Sequence, residues 1–131
     1  MLRNPFLGGR NTLVYLFFLQ ESNEHFDFII GDLTDAPVDT RQNQSSRDTW
    51  ILLEQVLHLV KQLIKPNTGR YLTHFNGKSV PKLISEFENM LSNLVLPSNG
   101  CLKSKFTRSE SFVPSFQEVW MFYQLSMVDA T

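Results

Sequence analysis

Residues 26–32 read Phe-Asp-Phe-Ile-Ile-Gly-Asp, and the fold turns on how this run is taken. Five aromatic, β-branched or alternating residues from Phe26 to Ile30 stop at a Gly-Asp turn, the pattern of a short buried strand in a parallel sheet. Downstream, Asp35 to Ser46 is polar, aperiodic and holds one proline. A connection of about a dozen residues is longer than most and often functional, so this segment is expected to form a loop over the strand end, a lid. Ser45, with Asp48 three residues on, can cap a helix start. Trp50, Leu53, Val56, Leu57, Val60 and Ile64 then recur at helical spacing until Pro66 stops the run, predicting a helix to about Lys65.

Beyond Gly69, the stretch "RYLTHF" (Arg70 to Phe75) is a second strand candidate. Ser79 and Pro81 open a second helix carrying Leu83, Ile84, Phe87, Met90, Leu91 and Leu94 on one face, with Pro97 and Gly100 expected to close it. Two extended segments follow, around Leu102 to Thr107 and around Glu118 to Leu125. Strand-helix-strand units cross over right-handed and make a parallel sheet, whereas the last two strands are linked too closely for a helical crossover and should pair antiparallel. The expected architecture is an open α/β sheet with an antiparallel hairpin at its C-terminal end. Residues 1–131 read as a single domain, without repeats or low-complexity tracts.

Composition narrows the partners. The 131 residues are 42% hydrophobic, and 12 Lys and Arg stand against 13 Asp and Glu for a net charge of -1. The basic residues are scattered, which removes the electrostatic footprint needed for nucleic acid or an anionic membrane. One cysteine, Cys101, excludes an internal disulfide framework and a multi-cysteine metal site, and it fits a reducing, cytoplasmic location. Three unpaired histidines, His25, His58 and His74, give a zinc site little support, so no metal is expected. The apolar run Leu13 to Leu19 follows Arg3 and Arg10 as in a signal peptide. It lacks a small-residue cleavage site, however, and is far shorter than the roughly 20 residues of a membrane span.

In open α/β sheets ligands bind beyond the carboxyl ends of the strands, and Asp32 lies immediately past the first strand candidate. An aspartate there serves equally well as a turn cap or as a chemical group, and spacing does not choose between them. Glu118 sits in "FQEVWMFY", where an ionised carboxylate needs a cationic partner or solvent; a surface position on an edge strand satisfies the same pattern. Trp120 and Tyr123 read as core or wall residues. His74 ends the second strand on the same sheet edge as Asp32, while Glu54 and His58 share a helix face at a spacing typical of solvated pairs. Neither a dinucleotide nor a phosphate-binding glycine loop is visible around Gly8-Gly9.

"FDFIIGDLTDAPVDT", "DTWILLEQVLHLV", "GRYLTHFN" and "VPSFQEVWMFYQL" occur in order and spacing that resemble the C-terminal part of the spermine synthase branch of the polyamine aminopropyltransferases. The likeness covers Phe26 to Leu125, with residues 1–25 poorly matched. It implies the C-terminal half of a methyltransferase-like Rossmann fold. It also implies aminopropyl transfer from decarboxylated S-adenosylmethionine to spermidine, giving spermine and 5′-methylthioadenosine without a metal or cofactor. By resemblance, Asp32 is the proton acceptor and an amine ligand, and Glu118 holds the far end of spermidine. The "GDLTDAP" run followed by "EVWMFY" resembles the spermine branch, so spermidine is favoured over putrescine.

Departures accompany the matches. The family's glycine-rich nucleotide loop and N-terminal domain would precede this stretch, Asn11 stands where the family has an adenine-recognising acid, and His74-Phe75 replaces smaller or amide-bearing residues. The chain is therefore expected to be a truncated form, paired with a second copy or a full-length chain. The competing expectation is a catalytically inactive α/β module that binds polyamines or a protein partner. In either case the isolated chain is expected to show no aminopropyl transfer.

Overall fold

The computed structural model describes residues 24–32, 44–75, 81–97 and 101–130, with side chains of 44–46 excepted. Within them the chain is mixed α/β: β1 (Phe28–Gly31), α1 (Gln44–Leu63), β2 (Arg70–Phe75), α2 (Pro81–Ser92), β3 (Val95–Pro97), β4 (Cys101–Val113) and β5 (Glu118–Asp129). The strands form one open sheet in the order β1-β2-β5-β4-β3. β1 and β2 are parallel, as a helical crossover demands, and every other pairing is antiparallel. No helix among the described residues is long and apolar enough to cross a membrane.

Strand alternation divides the sheet into two unlike faces. Tyr71, Phe75, Met121, Tyr123, Leu125 and Met127 point to one face and are buried. Phe87 of α2 stacks on Phe75 with centroids 4.6 Å apart and meets Tyr123 edge-on at 5.3 Å, while Trp50 of α1 reaches the same Phe75 at 6.2 Å. Both helices thus pack on this face, and truncating an aromatic such as Phe87 at their seam would cost about 3–5 kcal/mol. The opposite face carries Phe28 and Ile30 of β1, Leu72 and His74 of β2, and Trp120 and Phe122 of β5.

The helical periodicity is borne out, with differences at the ends. α1 buries Trp50, Val56, Leu57, Val60 and Leu63, and also Leu59, which widens the stripe. It begins at Gln44, so Ser45 lies inside the first turn rather than ahead of it, and the rest of the expected lid, Asp35 to Asn43, lies outside the described residues. α2 starts at Pro81, whose missing N–H costs nothing in a first turn, and ends at Ser92. Leu94 and Pro97 are therefore not helical: Val95–Pro97 pairs with β4 as an edge strand, where a proline is tolerated because one side needs no donor.

The larger correction concerns β1. "FDFII" was expected to be a buried strand, yet Phe28 is 67% and Ile30 73% exposed. Among the described residues β1 has β2 as its one neighbour, and the helices cover the other face, so of Phe28, Ile29 and Ile30 only Ile29 leans on the core. Phe26 stands outside the strand: its N–H donates to Leu63 O (2.8 Å) and its carbonyl accepts from Lys65 N–H (3.0 Å), anchoring the segment to the end of α1. The hairpin is longer than expected, β4 and β5 pairing from Leu102↔Asp129 to Val113↔Glu118 around the turn Pro114–Gln117.

Candidate functional site

The parallel register Gly31↔Thr73 brings the next pair, Asp32 and His74, side by side at the carboxyl ends of β1 and β2. Gly31 permits this closeness. It is buried beneath the Tyr71 ring, so a side chain there would collide with the phenol, and its carbonyl accepts from Thr73 Oγ1 at 2.9 Å. Burial pushes the Tyr71 hydroxyl up to about 12, with the hydrogen bond to Thr73 drawing it partly back.

His74 Nε2 donates to Asp32 Oδ1 at 2.9 Å. The imidazole is 14% exposed and the carboxylate 66%, so one partner is fixed in the protein and the other faces solvent. The antiparallel register His74↔Phe122 sets Trp120 one step further along the same face, and the indole stacks on the imidazole at 4.5 Å and 12°. Phe116, from the hairpin turn, also packs on the indole, with centroids 4.7 Å apart. Trp120 Nε1 donates to Glu118 Oε1 at 2.6 Å. Asp32, His74, Trp120 and Glu118 therefore make a continuous line: two carboxylates at the ends and an aromatic wall between them.

Asp32 and Glu118, the two residues singled out from the sequence, lie on one face of one sheet edge. His74, to which the resemblance assigns no role, is the residue that links them. A signal for it existed: a parallel strand pair that aligns Gly31 with Thr73 must align Asp32 with His74, but that register is visible only once the sheet is assembled. Trp120 is a wall residue, as its strand position suggested, whereas Tyr123 belongs to the core. Tyr123 donates to Glu88 Oε2 at 2.9 Å, and Arg108 donates to the same oxygen at 2.7 Å, on the helix-covered face. Burial first, then Glu88, drives the Tyr123 hydroxyl well above the usual phenol range. His58 lies 3.4 Å from Gln62 on the exposed side of α1, away from this line.

Two carboxylates spaced along an aromatic surface suit a flexible polycation: each ammonium finds an anion and the methylene links lie on rings. Among the described residues no cluster of three or more His, Cys, Asp and Glu could hold a metal ion. No known protein-family model matches the chain.

Proposed function

We propose that this chain binds a polyamine along the Asp32–His74–Trp120–Glu118 line, and that the line is the acceptor half of an aminopropyltransferase site. The observation that carries the reading is the placement of both carboxylates on the face opposite the helices, joined by stacked rings. From strand geometry alone their backbones stand roughly 16 Å apart, two strand spacings across and four residues along. Side chains reaching inward leave a span suited to an extended triamine. Topology supports the finer fold as well: a C-terminal strand inserted antiparallel beside β2 fits the later half of a methyltransferase-like Rossmann sheet.

In this reading Asp32 positions the attacking amine and accepts its proton. The amine nitrogen forms a bond to the aminopropyl carbon of decarboxylated S-adenosylmethionine as the carbon–sulfur bond breaks, and 5′-methylthioadenosine departs as a neutral thioether. Asp32 has by then taken a proton from the bound ammonium, freeing the nitrogen lone pair for attack, and the positive charge that leaves sulfur stays on the new secondary ammonium. Glu118 pairs the distant ammonium, because a cation drawn from water onto an aromatic surface needs a counter-charge. No metal or further cofactor takes part.

A second reading is an inactive module that binds polyamine or a protein partner, and the exposed Phe28 and Ile30 of β1 favour it. A full-length chain or a second copy could complete the sheet along that edge. Calorimetry with spermidine and putrescine, together with chromatographic detection of spermine, tests both. The isolated chain is expected to bind spermidine more tightly than putrescine and to form no spermine. Asp32→Asn and Glu118→Gln should each weaken spermidine binding about tenfold, the worth of one paired charge on an exposed surface at low salt. Binding that is absent, or that survives both substitutions, sinks the polyamine reading. Spermine formation abolished by Asp32→Asn excludes the inactive module.

A further inference from the structure

We infer that His74 is a positioning residue whose protonation state decides whether Asp32 can receive a cationic amine; this rests on the polyamine reading above. The geometry gives the imidazole little freedom. It is stacked parallel on Trp120 at 4.5 Å, tilted against Phe122 at 6.4 Å, and tied through Nε2 to Asp32 Oδ1 at 2.9 Å. Its other nitrogen, Nδ1, is buried without a hydrogen-bond partner among the described residues.

The two protonation states treat Asp32 differently. In the neutral Nε2–H form the ring donates to Oδ1, leaves Nδ1 as a bare acceptor and keeps the full negative charge on the carboxylate. That carboxylate is oriented and free to pair with an ammonium. In the doubly protonated form an added N–H at Nδ1 meets no acceptor, and the ring's charge is balanced by Asp32 itself. An incoming polyamine then meets an ion pair already made, and must compete with a cation that stacking holds in place.

The groups facing the ring bear this out. Asp32 approaches from the end of β1, and from β5 come neutral Trp120 and Phe122, with Glu118 behind the indole. On β2 itself, Arg70 turns away and donates to the carbonyls of Asn67 and Gly69 at the far end of the strand. The two helices pack on the opposite face. When protonated, the histidine is thus the cation in contact with Asp32 among the described residues, and an amide in its place would orient the carboxylate without ever carrying charge.

The test is spermidine affinity of the full chain at about pH 7.5 and about pH 5.5, for wild type, His74→Gln and His74→Phe. Wild-type affinity should fall several-fold from the higher pH to the lower. His74→Gln should bind as wild type does at the higher pH and change less than twofold. His74→Phe keeps the stack but not the donor, so it should bind several-fold more weakly than His74→Gln at both values and, like it, change little with pH. Equal pH dependence in wild type and His74→Gln overturns the inference and leaves the polyamine reading standing. Failure of wild type to bind at either pH overturns both. Should neither variant fold, the wild type decides: an affinity that falls in step with the ¹⁵N-detected titration of the His74 ring supports the inference, and one that falls elsewhere overturns it.

Discussion

Gly31→Ala tests the packing that places Asp32. A Cβ built on Gly31 would lie 2.6 Å from Cζ and 2.7 Å from Cε1 of Tyr71, and nearer still to the hydroxyl. Ordinary carbon contacts fall at about 3.5–4.0 Å, so roughly 1 Å of relief must come from two buried groups. Neither moves easily, because Thr73 holds the Gly31 carbonyl and Tyr71 is packed in the core. Overfilling a packed site costs about 1–3 kcal/mol, and this case belongs at the upper end. At a few degrees per kcal/mol for a chain of this size, the melting temperature should drop by about 10 °C. Circular dichroism melts and urea titrations measure it. Because ring carbons share the clash, Tyr71→Phe should not rescue the variant, whereas the Gly31→Ala/Tyr71→Leu double variant should lose clearly less than the two single losses added together. A Gly31→Ala protein melting within about 3 °C of wild type would refute the argument, as would additivity in the double variant.

Two further outcomes follow from the backbone and from buried phenols. Gln117 holds φ at 52° in the β4–β5 turn, a conformation costly for a side chain without a local role, so Gln117→Gly should stabilise by about 0.5–1 kcal/mol in urea. Asn67, at φ 67°, also accepts from Asp129 N–H through its side chain, and Asn67→Gly should bring no such gain. For Tyr71, the ordinary value of 10.0 rises to about 12 on folding, so the folded state keeps a proton that the unfolded state releases. The associated stability is complete below pH 10 and is lost between about pH 10 and 12, at about 1.4 kcal/mol per pH unit. Urea midpoints should fall steeply over that window and less steeply in Tyr71→Phe; equal slopes would contradict the assignment.

What could be read from the chain beforehand was whatever depends on local periodicity. The span of β2, the apolar stripes of α1 and α2, and the antiparallel closing hairpin all follow from residue spacing and link length. What could not be read depends on neighbours. Alternation does not say whether Phe28 and Ile30 face a helix or solvent, because a short apolar run looks alike at a sheet's centre and at its edge. Val95–Pro97 is too short and too proline-marked to stand out as a strand until β4 pairs with it. At the site, Asp32 and Glu118 were visible as carboxylates in unusual company. The His74 contact depends on a register between strands 42 residues apart, and Trp120–Glu118 on two side chains leaning together along one strand.

The strand order has a consequence for how the molecule is made. β5 is the last strand in sequence among the described residues, yet it lies at the centre of the sheet, between β2 and β4. A chain emerging from the ribosome presents β1 and β2 well before β5, and they must wait more than forty residues for the strand that seats them. Until then Phe75 and Trp50 have no Met121, Tyr123 or Leu125 to complete their core. Assembly of this sheet waits for β5, and the line from Asp32 to Glu118, with one carboxylate beyond β1 and the other at the head of β5, comes into being only when β5 is seated.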